Sequence, residues 1–230
     1  YALLTAEGYL EARGQAGTVV AHGIESAQPT PVVITPYNAV RQQSQVRPFQ
    51  MGLPALDAFP RKIWSKIAAR CVRATQLADM SNPPVYGLPS LRTAIASYLQ
   101  VARGIHCTPE QIFVTSGYRN TLSLVTHALL SPGDAVLVED PGYLPTRPLL
   151  DHLQIKSIPV PVDQDGLCVQ HLSAARAVVV TPAHQSPLCV SLSLPRRLEL
   201  LDWARREQAW IIEDDYDGES RCVSRPLPAL

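Results

Sequence analysis

Short apolar strands alternating with amphipathic helices predict an α/β fold, with a largely parallel sheet covered by helices on both faces. Three observations carry this expectation. The runs "AVLV", "AVVV" and "WII" are short and apolar throughout. Helical patterns lie before, between and after them. Hydrophobic residues make up 46% of the 230-residue chain, enough for a real core.

Taken in order, the chain opens with "LTAEGYLEARGQAGTVVA". This reads as a helix end, an extended Tyr9–Arg13, a reversal at Gly14–Gly17 and a strand Thr18–Ala21. Residues 22–45 are rich in Pro, Gln, Ser and Thr and read as a linker. The texture changes from about Val46. "PRKIWSKIAARCVRATQ" is a helix, with Ile63, Ile67 and Cys71 at four-residue steps. "LPSLRTAIASYLQVAR" is a stronger one, with Pro89 placed for a first turn and Leu91, Ile95 and Leu99 on one stripe. "QIFVT" reads as a short strand. "YRNTLSLVTHALL" is a helix stopped by "SPGD". "AVLVEDPGY" is a strand closed by Pro-Gly. "IKSIPVPV" is a strand whose prolines put it near an edge. "RAVVVTPAHQSP" is a strand and loop, "PRRLELLDWARREQ" a helix and "AWIIEDD" a strand.

Bulk composition excludes several classes. Charges balance at twenty of each sign, so no global field favours nucleic acid or an acidic surface. Only Lys62, Lys66 and Lys156 are lysines. The five cysteines form no C-x-x-C pair and read as reduced thiols rather than a zinc site, so no metal is expected. No apolar run is long enough to span a bilayer, and a cytoplasmic location is expected. The start at Tyr1 and the end at "RPLPAL" suggest a fragment.

In open α/β sheets ligands bind beyond the carboxyl ends of the strands, so the residues just after each strand matter most. After "IFV" come Ser116, Gly117, Tyr118 and Arg119, small residues opening a helix, which suit a phosphate. After "AVLV" come Glu139, Asp140, Pro141 and Gly142, a corner that presents Tyr143 as a flat face. After "AVVV", His184 and Gln185 can hydrogen-bond a polar ligand. After "WII" comes the acidic "EDDYD", with Asp214, Asp215 and Tyr216. Each alone is an ordinary cap, turn or solvated loop. Together they suit an aromatic nitrogen heterocycle carrying a phosphate. A carboxylate facing a pyridine nitrogen keeps it protonated, and the protonated ring is an electron sink, as pyridoxal phosphate chemistry requires. Taken instead as a magnesium-binding cluster, "EDDYD" suits a phosphotransferase, but no GK[ST] loop accompanies it.

From about Val46 onward the chain resembles the aminotransferase-like domain of MocR-type regulators. These are the branch of GntR transcription factors in which a winged helix is fused to a fold-type I pyridoxal 5′-phosphate (PLP) domain. The residues that carry the resemblance are "MGLPALDAFPRKIW", "YGLPSLRTAIASYLQVARGIHC", "QIFVTSGYRNTLSLV", "SPGDAVLVEDPGY", "VVVTPAHQSP", "PRRLELLDWA" and "IIEDDYDGESR". It implies a three-layer α/β/α large domain over residues 46–230. Residues 1–21 would be the end of the DNA-binding winged helix and residues 22–45 an interdomain linker. It further implies that Asp214 pairs with the pyridine nitrogen, Tyr216 reaches the phenolic oxygen and Tyr143 stacks on the ring. The Ser116–Gly117–Tyr118–Arg119 turn would hold phosphate, and His184 and Gln185 would line the site. Whether Asp214 or Asp215 meets the nitrogen depends on strand register; Asp214 is favoured.

The sequence also departs from the family pattern. Arg119–Asn120 stands where Gln-Gln is common, Cys189 where Gly is usual, and Gly14 and Gln15 replace residues expected in the wing. The family's Schiff-base lysine lies downstream of "DDYD", and none follows here. The expectation is therefore a DNA-binding regulator that senses PLP or a PLP–amino acid adduct and is a homodimer when intact. The alternative is a PLP-dependent aminotransferase. No transaminase activity is expected from these 230 residues.

Overall fold

The computed structural model describes residues 1–22, 52–216 and 229–230. The expected linker lies outside them but for its first residue, as do the end of "IIEDDYDGESR" and Cys222. The chain forms two compact units, Tyr1–Ile67 and Ala68–Leu230.

In the first unit, helix α1 (Ala2–Ala6) leads into a two-stranded antiparallel ribbon, β1 (Leu10–Ala12) and β2 (Thr18–Val20). Leu10 faces Val20 and Ala12 faces Thr18. Gly17, at φ +87°, turns the chain back so that its carbonyl accepts the Arg13 N–H at 2.8 Å. A left-handed residue is needed there, and glycine supplies it without a Cβ clash. Helix α2 (Arg61–Ala74) begins in this unit and contains the boundary between the two. Near its start, Trp64 packs on Phe59 with ring centroids 5.8 Å apart.

The second unit begins its regular part with α3 (Pro89–Arg103), which has proline in its first turn and Gly104 in the left-handed conformation at its end. Pro has no N–H to leave unsatisfied there, and Gly ends a helix without strain. Helix α4 (Tyr118–Leu129) precedes β3 (Ala135–Asp140). Then come α5 (Thr146–His152), β4 (Lys156–Asp163), the two-residue β5 (Gly166–Leu167), β6 (Ala177–Val180), α6 (Leu194–Glu207) and β7 (Trp210–Glu213).

The sheet order is β5-β4-β3-β6-β7. Pairs β4/β3, β3/β6 and β6/β7 are parallel, and only β5 runs antiparallel. The proline-bearing β4 is next to the edge, as its sequence predicts. Alternation along the central strands sorts their side chains to two faces. Leu137, Val178 and Val180 join Leu200 and Trp203 of α6 in one core cluster. Val136, Val138, Ala177 and Val179 join Leu122 of α4 and Leu149 and Leu150 of α5 in the other. This is the three-layer α/β/α arrangement expected. Each such buried Val or Leu contributes roughly 1.5–3 kcal/mol.

Two local features differ from the sequence reading. Residues 112–115 of "QIFVT" form no strand, although Ile112 is extended. A strand exists only through a ladder partner, and among the described residues the segment's backbone reaches a remote one through Val114 N–H to Tyr86 O at 3.0 Å, while Ile112 N–H turns back to Pro109 O at 3.2 Å. Phe113 packs edge-on against Tyr86 instead. Helix α5 is a further difference, since the sequence reading assigns no element between "AVLVEDPGY" and "IKSIPVPV", and the stretch carries Pro145 and Pro148. Both fall at or within its first turn, where a missing N–H costs nothing.

Candidate functional site

The C-terminal ends of β3, β6 and β7 meet the start of α4 around a cavity of about 170 Å³. Tyr118, Glu139, Asp140, Tyr143, Thr146, Arg147, Thr181 and Asp214 supply its polar lining. Parallel pairing places these groups together. Val180 stands beside Glu213, so Thr181 and Asp214 leave the sheet as neighbours, and the Asp214 N–H donates to the Val180 carbonyl at 2.9 Å.

Tyr118 and Tyr143 meet as perpendicular rings with centroids 5.1 Å apart. The Tyr118 hydroxyl is 2.7 Å from the Thr146 hydroxyl, which ties the start of α4 to the start of α5. Burial pushes the Tyr118 phenol up to about 12. Gly142 makes the corner before Tyr143 possible, since a Cβ there would lie 2.4 Å from the Glu139 carbonyl oxygen.

Asp214 is half-buried, and burial pushes its carboxyl above the usual range, with a smaller push from Asp215. Among the described residues its carboxylate has no hydrogen-bond or ion-pair partner. Asp215 does not line the cavity. Its carboxylate pairs with the guanidinium of Arg103, whose side chain is almost completely enclosed. The chain has therefore sorted two adjacent acids, one to the cavity and one to a buried cation.

The other sequence candidates fall into three groups. Ser116, Gly117 and Arg119 form the exposed start of α4 beside the cavity rather than on its wall. The Ser116 N–H donates to the Asn120 side chain at 3.3 Å, and Gly117 has φ +110°. His184 and Tyr216 stack on each other nearly in parallel, 5.7 Å apart. Gln185 does not line the cavity as the sequence suggests. It is buried, and its Nε2 donates toward Glu139 Oε2, Pro141 O and Ser186 O at 3.1, 2.9 and 2.8 Å. Its Oε1 accepts the Leu188 N–H at 3.0 Å. Its amide is used up inside the protein.

Sequence reasoning does not single out Glu139 as a site residue. It is buried, and accepts bonds from the Thr181 N–H at 3.1 Å and the Thr181 hydroxyl at 2.6 Å as well as from Gln185. Burial is the main cause that raises its carboxyl, and those bonds oppose the rise. Together with Gln185 it locks the end of β3 to the loop after β6, and so fixes two cavity walls. The available signal is an acid following directly on the apolar run "AVLV". Arg147 is missed in the same way. Its guanidinium is 3.2 Å from Asp140 at the cavity rim. Lys156, the one lysine of the second unit, opens β4 at the end of the sheet opposite the cavity.

Residues 60–216 match the family described as aminotransferase class I and II. Over its whole length the chain is 34% identical to the "Probable rhizopine catabolism regulatory protein MocR" of Rhizobium meliloti, of which it covers 50%. It is 33% identical, again over its whole length, to the "HTH-type pyridoxine biosynthesis transcriptional regulator PdxR" of Corynebacterium glutamicum, covering 50% of that protein. The chain thus spans about half the length of these relatives. Among solved structures, a kynurenine aminotransferase of Pyrococcus horikoshii in complex with PMP is similar. It superposes with a TM-score of 0.68 at 29% identity, over 76% of this chain and 46% of that one. Among the described residues no helix is long and apolar enough to cross a membrane.

Proposed function

The chain belongs to the aminotransferase class I and II family, and from that premise we propose that it is part of a DNA-binding transcriptional regulator whose aminotransferase-like domain senses PLP or a PLP–amino acid adduct. The observation that carries this reading is the extent of the similarity. The aminotransferase match ends at residue 60 on its N-terminal side, whereas the match to HTH-type regulators continues through the first unit to Tyr1. The antiparallel ribbon of that unit suits the wing of a winged helix. In this reading residues 1–21 end the DNA-binding domain, residues 22–45 are the linker, and residues 46–230 belong to the effector domain of a cytoplasmic homodimer.

The cavity suits PLP. Asp214 is a half-buried carboxylate without a partner among the described residues, and a protonated ring nitrogen would satisfy it. Tyr143 and Tyr118 offer aromatic surface at the same wall, and the turn from Ser116 to Arg119 brings the start of a helix, with its free N–H groups past Ser116, to hold a phosphate. Tyr216, stacked on His184, would approach the phenolic oxygen. When bound, the group supplies an electron sink for amino acid chemistry. The chain's own residues bind and orient it: Asp214 holds a proton at the ring nitrogen, the tyrosines set the ring plane, and Glu139 and Gln185 fix the walls.

Genome-wide DNA capture by the intact polypeptide, with and without PLP and amino acids, tests this function. Discrete sites with ligand-dependent occupancy are expected. Amino-group transfer to a 2-oxo acid without site-specific DNA binding would instead establish an aminotransferase.

A further inference from the structure

We propose that Arg103 is a positioning residue for the cavity carboxylate: by binding Asp215 it holds that acid away from the cavity and offsets part of its charge, leaving Asp214, of the two adjacent acids, to face a ligand. The inference rests on the reading of the cavity as a site for a protonated heterocycle.

Three features support it. First, Arg103 is the last residue of α3 and lies 5% exposed, so its cation is not a solvated surface charge. Second, among the described residues its ion-pair partner is Asp215, and its Nε is enclosed without an acceptor. A buried cation is costly unless paired, so the pairing fixes where Asp215 points. Third, Asp214 and Asp215 are consecutive just past β7, and Asp214 lines the cavity while Asp215 does not. With the Asp214 N–H held by the Val180 carbonyl and Asp215 held by Arg103, the backbone between them is anchored on both sides with Asp214 toward the cavity.

The electrostatic consequence follows from the same arrangement. Apart from burial, Asp215 is the charge that raises the Asp214 carboxyl. The other groups around the cavity are Tyr118 from α4, Glu139 and Asp140 from β3, and Tyr143 and Arg147 beyond the corner. Arg147 is engaged by Asp140, and the stacked His184 and Tyr216 lie on the loop after β6 and just past Asp215. Removing the Arg103 charge exposes Asp214 to the whole of its neighbour's repulsion, so Asp214 would take up its proton at higher pH. A neutral Asp214 no longer favours a protonated ring nitrogen.

The test uses the full chain and pyridoxamine 5′-phosphate, which needs no lysine to bind. Affinity is measured by equilibrium dialysis across the pH range in which the chain stays folded. In parallel, the Asp214 carboxyl is titrated by carbon-13 NMR without ligand, the signal being assigned with D214N. R103M should move the acid limb of binding and the carboxyl midpoint upward by about one pH unit, roughly a tenfold affinity loss on that limb. D215N should move both downward, and R103M/D215N should return them close to the parent chain.

A purely structural Arg103 would weaken binding equally at every pH and leave the carboxyl midpoint in place, which overturns the proposal. If R103M does not fold, the D215N shift and the double variant still decide. If the parent chain binds no pyridoxamine 5′-phosphate at any pH, the cofactor reading fails. The carboxyl titration then decides the role of Arg103 by itself.

Discussion

Replacing Gln185 by alanine should destabilise the second unit by about 3 kcal/mol. The side chain is 1% exposed, and both ends of its amide are engaged. Its two N–H groups serve three acceptors, on Glu139, Pro141 and Ser186, and its oxygen serves the Leu188 N–H. Truncation strips a partner from each. Glu139 loses least, because Thr181 still donates to it twice. The Pro141 and Ser186 carbonyls and the Leu188 N–H lie in partly exposed segments, so water reaches some of them and each loss is near the low end, about 1 kcal/mol. Three such losses give the figure above. Q185M, which keeps most of the volume, should retain most of the loss, because the bonds rather than the packing are removed. Urea unfolding followed by circular dichroism, with the slope unchanged, measures both variants. A loss below about 1 kcal/mol in Q185A would refute the assignment of this network as the clamp between two cavity walls.

Gly142→Ala should cost about 2 kcal/mol and distort the Tyr143 wall, because its Cβ would stand 2.4 Å from a backbone oxygen that no side-chain rotation can relieve; the same urea assay returning parent-like stability would contradict the tight corner at Glu139–Tyr143. Glu139→Gln should change the pH dependence of stability. The folded chain holds the Glu139 proton more tightly than the unfolded chain does, so stability falls as pH rises from the ordinary carboxylate range through the raised folded value. Gln has no proton to lose, so E139Q should lack that decline, and unfolding curves at a series of pH values with the same slope in both proteins would assign the decline elsewhere.

The layers of the fold are readable because their signal is local. Apolar runs of strand length, proline at helix starts and glycine at helix ends each act within a few residues. "QIFVT" shows the limit. Its residues favour an extended chain, but pairing depends on a neighbour that no property of those residues supplies. Helix α5 is hidden by the opposite effect, since its prolines sit where a helix tolerates them. At the site, residue types at strand ends locate Tyr118, Tyr143 and Asp214 around one cavity. They do not reveal the direction of Gln185, because a glutamine at a strand mouth and one buried deeper look alike in sequence. Nor do they reveal Arg103. Its partner, Asp215, is remote along the chain, and only the fold brings α3 to the end of β7.

Val138 and Val179 have two memberships: both line the cavity, and both belong to the core cluster shared by the sheet, α4 and α5. A flat ring seated there rests on the same side chains that hold those helices to the sheet. Occupancy and folding are then one equilibrium seen from two ends. A ligand at a hundred times its dissociation constant would add about 2.7 kcal/mol to the stability of this unit. The melting temperature of the domain would then gauge such a ligand, and resistance to local opening in α4 and α5 would be the quantity that its binding changes.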